Sequence, residues 1–448
     1  MKLLLVYPPF CAPTIMPYSI SYLKNFVENN LKITVKNLDL NAKFHRQRFP
    51  EFYLQVQTST TAAKYAQVLE KFENTARDVY ALNHKKVIHD ESPELLQEMI
   101  ELICHEQPDI VAFSFVYNSQ GFYGKVLLEE LSQRGIKCII GGPAVHGQLK
   151  HPNLKNEVEL MNWLAAAGAK LKYQEEHYHG GTIPDFRDFP AEDYLSRARV
   201  VPIKTCSTCF YKLCAFCTHY ADVPYLEYNL ENIRTTIIQS GAKHVCFIDD
   251  MISRNRLLEL AQILAPLHIT WWCQLRPTKD LLGLFPQLYS SGLRSVAWGI
   301  ESGSQRILNL MKKGTHVEDV SLILAQSHIA GIKNMAYVMF GFPSETKEEF
   351  MDTIRFLQDH SPHIDLVSTS VFGLQSRSVM YLHPQEFGIS VQRQKRTVLD
   401  DKITYISKTG LQHEEAKRWK RKYRRTLRKL NKLPGVFDYF KEQVLVFS

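Results

Sequence analysis

Apolar and polar positions along the chain fall into two alternating regions, each mixing short buried runs with longer amphipathic stretches. In the first, Leu3-Leu4-Leu5-Val6 forms a continuous apolar run of strand length, followed by Ile20, Leu23, Phe26 and Val27 at helical spacing. Further strands are predicted over 32–38, 109–115 and 137–140, with a helix over 124–133. Strands alternating with helices predict a parallel, doubly wound sheet, a Rossmann-like unit. Residues 43–107 interrupt it with a largely helical insertion.

The second region begins near residue 196 and predicts strands over 200–205, 244–248, 269–275, 295–299, 335–340 and 365–371. Helices are expected between them, over 230–240, 256–264, 304–312 and 347–360. Six strand–helix units predict a partial parallel barrel of the TIM type, whose functional groups sit on loops after the strand C-terminal ends. The resulting division is an α/β domain over 1–148, a connector over 149–195, the partial barrel over 196–375 and a helical, basic C-terminal region over 376–448. In the last region Ala416, Trp419, Tyr423, Leu427 and Leu430 keep helical spacing among dense Lys and Arg. That pattern predicts an amphipathic helix with a solvated basic face, or a dock for an acidic partner.

Composition changes little in this picture. The chain has 448 residues, 45% hydrophobic and 22% charged, with a net charge of +8, which suits an ordinary globular protein of two or three domains. No apolar stretch has the length of a signal-peptide core or membrane span, so a soluble, cytoplasmic protein without a membrane partner is expected. Nine cysteines without an export signal argue against a disulfide framework.

Four of those cysteines, Cys206, Cys209, Cys214 and Cys217, lie in one short run directly after the first barrel strand. Four thiolates can hold a tetrahedral zinc ion, which would make the region a zinc-organised nucleic-acid-binding module. Three can hold a [4Fe–4S] cluster with one iron open to a ligand. The tight four-residue gap and Phe216 between the last two cysteines favour the cluster.

Cys209-x4-Cys214-x2-Cys217, with an aromatic residue before the last cysteine, resembles the signature of the radical S-adenosylmethionine (SAM) superfamily. Its widened first gap resembles the subgroup with an N-terminal cobalamin-binding-type domain. Thr208 stands where that subgroup often has Gly, and Cys206 occupies a place usually taken by a hydroxyl residue, so Cys206 competes with Cys209 as first ligand. The resemblance implies reductive cleavage of SAM at the cluster and hydrogen abstraction by a deoxyadenosyl radical. It also implies that Cys209, Cys214 and Cys217 are the metal ligands and catalytic centre.

Downstream segments match in order. Asp249 and Asp250 stand where the family contacts the methionine amino group, although an Asp pair also suits a helix cap. Arg276, at the end of the third barrel strand, suits a pair with the cofactor carboxylate or an ordinary surface salt bridge. The run Trp298-Gly299-Ile300-Glu301-Ser302-Gly303 resembles the segment that contacts ribose and methionine carboxylate through Glu301 and Ser302. Tyr337 to Pro343 resembles the strand against adenine, with Gly341 allowing close approach.

In the first region Tyr7-Pro8-Pro9, Pro17-Tyr18-Ser19, Phe113-Ser114 and Gly141-Gly142-Pro143 together resemble a cobalamin-binding domain; no Asp-x-His-x-x-Gly stretch supplies a cobalt ligand. The overall similarity is to radical SAM proteins that mature ribosomally made peptides, carried also by Pro184 to Leu195 and Cys214 to Tyr220. It implies cobalamin-dependent C-methylation of a peptide or natural product, a flavodoxin or ferredoxin electron donor and a precursor-peptide partner. A nucleic-acid partner is not expected. The rival activities are an epimerase or cyclase without methyl transfer, and a tRNA methylthiotransferase. The latter needs three more N-terminal cysteines, for which Cys11, Cys104 and Cys138 are the candidates.

Overall fold

The computed structural model describes residues 1–172, 182–218 and 223–447. Chain contacts divide it into two compact units: Met1–Pro202 with Glu231–Ala242 and Lys395–Asp401, and Ile203–Leu230 with Lys243–Gln394 and Lys402–Ser448.

The first unit is built on a sheet of β1 (Lys2–Tyr7), β2 (Thr34–Asp39), β3 (Ile110–Ser114), β4 (Lys137–Gly141) and a short β5 (Asn153–Leu154). Their order among the described residues is β2-β1-β3-β4-β5, and every pair is parallel. Leu3 to Val6 are almost wholly buried, as a strand covered on both faces requires. This is the doubly wound sheet expected from the alternation. Helices Leu40–Arg48, Pro50–Thr58, Ala62–Ile88 and Leu96–His105 form the insertion. It is anchored by rings: Phe44 packs edge-on to Phe10 at 4.8 Å, and Phe49 packs on Phe72 at 5.4 Å.

The 149–195 stretch, unassigned to elements by pattern, contributes β5 and helix Glu157–Ala166. The helix starts where the Asn156 side chain accepts the Glu159 N–H at 2.9 Å.

The later strands are β6 (Val200–Ile203), β7 (His244–Phe247), β8 (Thr270–Leu275), β9 (Leu293–Glu301), β10 (Lys333–Phe340) and β11 (Leu366–Val371), of which β7 to β11 lie in the second unit. They lie in strict sequence order, β11-β10-β9-β8-β7-β6, with parallel registers from β7 to β11. Sequential parallel order with helical crossovers is a barrel wall, and six strands leave it partial, as the six predicted units require. Buried Trp298 donates its indole N–H to Asn334 at 2.8 Å, so even the polar edge of this core is satisfied.

The C-terminal region holds the expected basic helix, His413–Lys429, seated through Trp419 and Tyr423 on Phe350. It also holds an antiparallel hairpin, β12 (Ile389–Gln394) with β13 (Lys402–Ser407), which the purely helical expectation for 376–448 lacks. Its signal is a short period-two alternation, Ile389 and Val391 against Ile403 and Tyr405, easily lost beside the strong helical pattern that follows. Among the described residues no helix is long and apolar enough to cross a membrane.

Candidate functional site

The loop after β6 is fixed at its start by a carboxylate. Asp249, two residues past β7, accepts the backbone N–H groups of Thr205 and Cys206, each at 2.9 Å. The Cys206 thiol donates to the same carboxylate at 3.1 Å. Both side chains are buried, and burial followed by their mutual charge pushes the Cys206 thiol up. Burial likewise raises the Asp249 carboxyl. Cys206 and Asp249 therefore form a clasp that holds the loop, and a protonated thiol is a poor metal ligand.

Cys209, Cys214 and Cys217 are all partly exposed. Their loop is tied down by its backbone: Ala215 N–H donates to Met311 at 2.9 Å, and Met380 N–H donates to Ala215 at 3.1 Å. Phe216 packs on a core that includes Ile307, Met311 and Phe342. Among the described residues no three His, Cys, Asp or Glu side chains converge on a position for a single metal ion. With Cys206 turned to Asp249, a four-thiolate zinc site has lost one arm. His219 and Tyr220, part of the segment that extends the motif, lie outside the described residues.

A cationic wall stands beside Cys214. Lys313, buried, places its ammonium 2.7 Å from Glu301 Oε1. Glu301 ends β9 at φ +66°, where the register with β10 skips Ile300. Gly299 makes room for this pair, since a Cβ there would stand 2.9 Å from the Lys313 nitrogen. Arg276, just past β8, lies 3.5 Å from the centre of the Tyr211 ring and donates to the Lys313 carbonyl at 3.1 Å. Tyr211 in turn donates to the Lys312 carbonyl at 2.9 Å. Gly314, at φ +65°, lets the phenol approach, because a Cβ would meet its oxygen at 2.3 Å. Burial raises the Cys214 thiol, while the Lys313 and Arg276 charges pull it down against Cys209 and Glu301. A thiolate-rich, anionic cluster suits such a wall.

The remaining predicted residues behave differently. Ser302 is buried, its hydroxyl 3.3 Å from that of Thr353 and accepting Ser304 N–H at 3.1 Å, so it shapes the turn after β9. Gly341, at φ +72°, donates its N–H to Glu345 at 2.5 Å and accepts from Tyr405 at 3.0 Å. A Cβ at Gly341 would stand 2.5 Å from that of Ala416, so the glycine admits the basic helix. Burial pushes the Glu345 carboxyl up to about 8. Asp250 is half-buried beside the clasp. The structure thus gathers Arg276, Glu301 and Cys214 and adds Lys313 and Tyr211, which sequence reasoning did not single out. The signal available was Lys312-Lys313-Gly314, a basic pair before a glycine in the chain after Glu301.

In the first unit, the strand-end loops are braced by Gln120. Its amide donates to the Pro8 carbonyl at 2.7 Å and accepts the N–H groups of Val116 and Tyr117 at 2.7 and 2.9 Å. Gly142, at φ +109°, lies against the Phe115 carbonyl, where a Cβ would stand 2.3 Å away; this glycine serves the loop's own packing. Tyr117 is exposed at the rim, and His146 Nε2 is buried without a hydrogen-bond partner among the described residues.

Residues 203–357 match the model of the Radical SAM superfamily. Such a domain implies a [4Fe–4S] cluster and SAM. A curated relative, the tRNA-2-methylthio-N(6)-dimethylallyladenosine synthase of Shewanella baltica, is 30% identical over 107 residues, 23% of this chain and 22% of that one. The Thermotoga petrophila protein of the same name is 24% identical over 196 residues, 38% of this chain and 42% of that one. The chain therefore spans well under half the length of these relatives. In fold, it is similar to the radical S-adenosylmethionine methyltransferase TsrM from Kitasatospora setae, solved with tryptophan substrate and a SAM analogue bound. The TM-score is 0.65 at 14% identity, covering 99% of this chain and 95% of that one. It is also similar to the cobalamin-dependent radical enzyme OxsB, solved with aqua-cobalamin and SAM, at TM-score 0.56 and 14% identity over 86% of this chain and 56% of that one.

Proposed function

From the radical SAM domain that residues 203–357 form, we propose that this chain is a cobalamin-dependent methyltransferase acting on a carbon of a peptide or related natural product. The observation that carries the reading is the fold likeness to TsrM over 99% of the chain, which takes in the N-terminal parallel sheet as well as the barrel. When bound, the cluster supplies the electron that breaks the S–C5′ bond of SAM, and cobalamin supplies a carrier for the methyl group.

The chain's own residues have distinct tasks. Cys209, Cys214 and Cys217 hold the irons, while Cys206 stays protonated in its clasp. Arg276 and Lys313 offset the negative charge of the thiolates and orient an incoming carboxylate. Asp249 is consumed by the clasp, so Asp250 is the carboxylate left for the methionine ammonium. Glu301, held through one oxygen by Lys313, would accept from the ribose hydroxyls with the other, and Ser302 keeps its turn in shape. The strand-end loops around Tyr117 and His146 would receive the corrin: their backbone groups are already satisfied by Gln120, and the orphaned His146 nitrogen fits an amide-rimmed ligand. An acidic flavodoxin or ferredoxin supplies electrons, and a precursor peptide is the partner.

A tRNA methylthiotransferase is disfavoured by the placement of its candidate cysteines. Cys11 follows the C-terminal end of β1, whereas Cys138 lies at the start of β4, at the opposite end of a parallel sheet. The test is anaerobic reconstitution with and without cobalamin, followed by product analysis. About four irons per chain, 5′-deoxyadenosine and cobalamin-dependent S-adenosylhomocysteine are expected. Deoxyadenosine without S-adenosylhomocysteine would leave radical chemistry and remove methyl transfer; zinc without iron would remove both.

A further inference from the structure

The first unit contains a cavity of ligand size, of about 370 Å³, lined by neither Tyr117 nor His146, the residues given to the corrin. It opens between the insertion helices, the loop after β1 and the connector before β6. Three arginines line it, Arg46, Arg197 and Arg199, against one carboxylate, Glu192. Tyr53, from the helix Pro50–Thr58, also lines it; the residue is 3% exposed and its hydroxyl has no hydrogen-bond partner among the described residues. The Nε of Arg199 is likewise buried and unpartnered among them. Its Nη2 is anchored on the Phe186 carbonyl at 3.1 Å, which fixes the guanidinium plane. Arg46 lies 4.8 Å over the Tyr53 ring, so a second guanidinium is held on the same phenol.

Buried donors without partners are rare in native proteins, and a fixed guanidinium fork is matched by a planar or tetrahedral oxyanion. We infer that this cavity binds a small organic anion carrying a carboxylate or phosphate group, with Tyr53, Arg46 and Arg199 as its recognition residues. The shared chemistry is an oxyanion accepting from a phenol and two guanidinium groups. Such a ligand brings together the insertion helices and the connector, two segments to which the radical chemistry assigns no role.

The experiment uses the full chain, with thermal unfolding followed during titration with inorganic phosphate and, separately, succinate, against sodium chloride at matched ionic strength. A saturable rise in Tm with either probe is expected; phosphate responding alone identifies a phosphorylated ligand, and succinate alone a carboxylate. Tyr53→Phe and Arg199→Gln should each raise the apparent Kd at least about tenfold. Tyr53→Phe keeps the ring and its packing, so it decides the matter if Arg199→Gln does not fold. Tm shifts no larger than those of chloride, or an unchanged Kd in Tyr53→Phe, would overturn the inference. Displacement of the probe by cobalamin would also overturn it, by merging the cavity with the corrin site.

Discussion

The loop after β6 and the strand-end loops of the N-terminal sheet both follow the C-terminal ends of sheet strands, yet they satisfy their polar groups in opposite ways. Around the cysteines, charge is concentrated: a buried Lys313–Glu301 pair, an Arg276 stacked on Tyr211, and an Asp249 that grips a thiol and two amides. Around Pro8 and Phe115 the work is done by one neutral side chain, Gln120, which donates once and accepts twice. A site that receives thiolates, an ammonium and a carboxylate needs fixed charges of both signs. A surface for a large, amide-rimmed and nearly neutral ring needs satisfied backbone and open space. The contrast is what the two proposed cofactors, a cluster with SAM and a corrin, would ask of their sites.

The sharpest break in that contrast is at the cysteines. Cys209→Ala, Cys214→Ala and Cys217→Ala should each abolish the cluster, seen as loss of iron and of 5′-deoxyadenosine. Cys206→Ala should keep its iron and lose only about 1–3 kcal/mol of stability, since it leaves part of the buried Asp249 unpaired; loss of iron in Cys206→Ala instead would make it the first ligand. Next comes Lys313→Met, which strands Glu301 in a largely buried position. A destabilisation of about 3–5 kcal/mol is expected in denaturant melts, together with weaker SAM binding, and Lys313→Arg should restore both in part.

A smaller effect is a dependence of stability on pH. The folded-state carboxyl of Glu345 titrates at about 8, above its ordinary 4.5. Between those values the unfolded chain loses a proton that the folded chain keeps, so this group lowers stability as pH rises across the window, by at most a few kcal/mol. Glu345→Gln should flatten that decline in Tm against pH; an unchanged slope would show that the carboxyl is ionised in the fold. The smallest change is expected from Gln120→Ala, about 1–3 kcal/mol from the unpaired Pro8, Val116 and Tyr117 groups. Iron content should be untouched and cobalamin retention reduced, which would place the two sites under separate control.

Much of this molecule was legible from pattern alone. Leu3 to Val6, the six later strands and the helix around Trp419 announce themselves because burial on a strand or helix imposes a local period that any window of the chain displays. The cysteine spacing is local too, and so are Glu301 and Arg276, each lying at a strand end where such barrels place their chemistry. What the tertiary structure decided is which of these groups meet. A carboxylate after a strand suits an ammonium by its position alone, yet Asp249 also holds the Cys206 amide, 43 residues away. Gly341 gives room to Ala416 on a helix far along the chain, and Ser302 turns inward to Thr353. Lys313 carries no periodic signal; only the missing Cβ of Gly299 and the bend at Glu301 give its ammonium a buried place to go. Periodicity records how one segment faces water. Hydrogen bonds and ion pairs between distant segments depend on the register of strands against each other, and that is settled only when the whole barrel wall has formed.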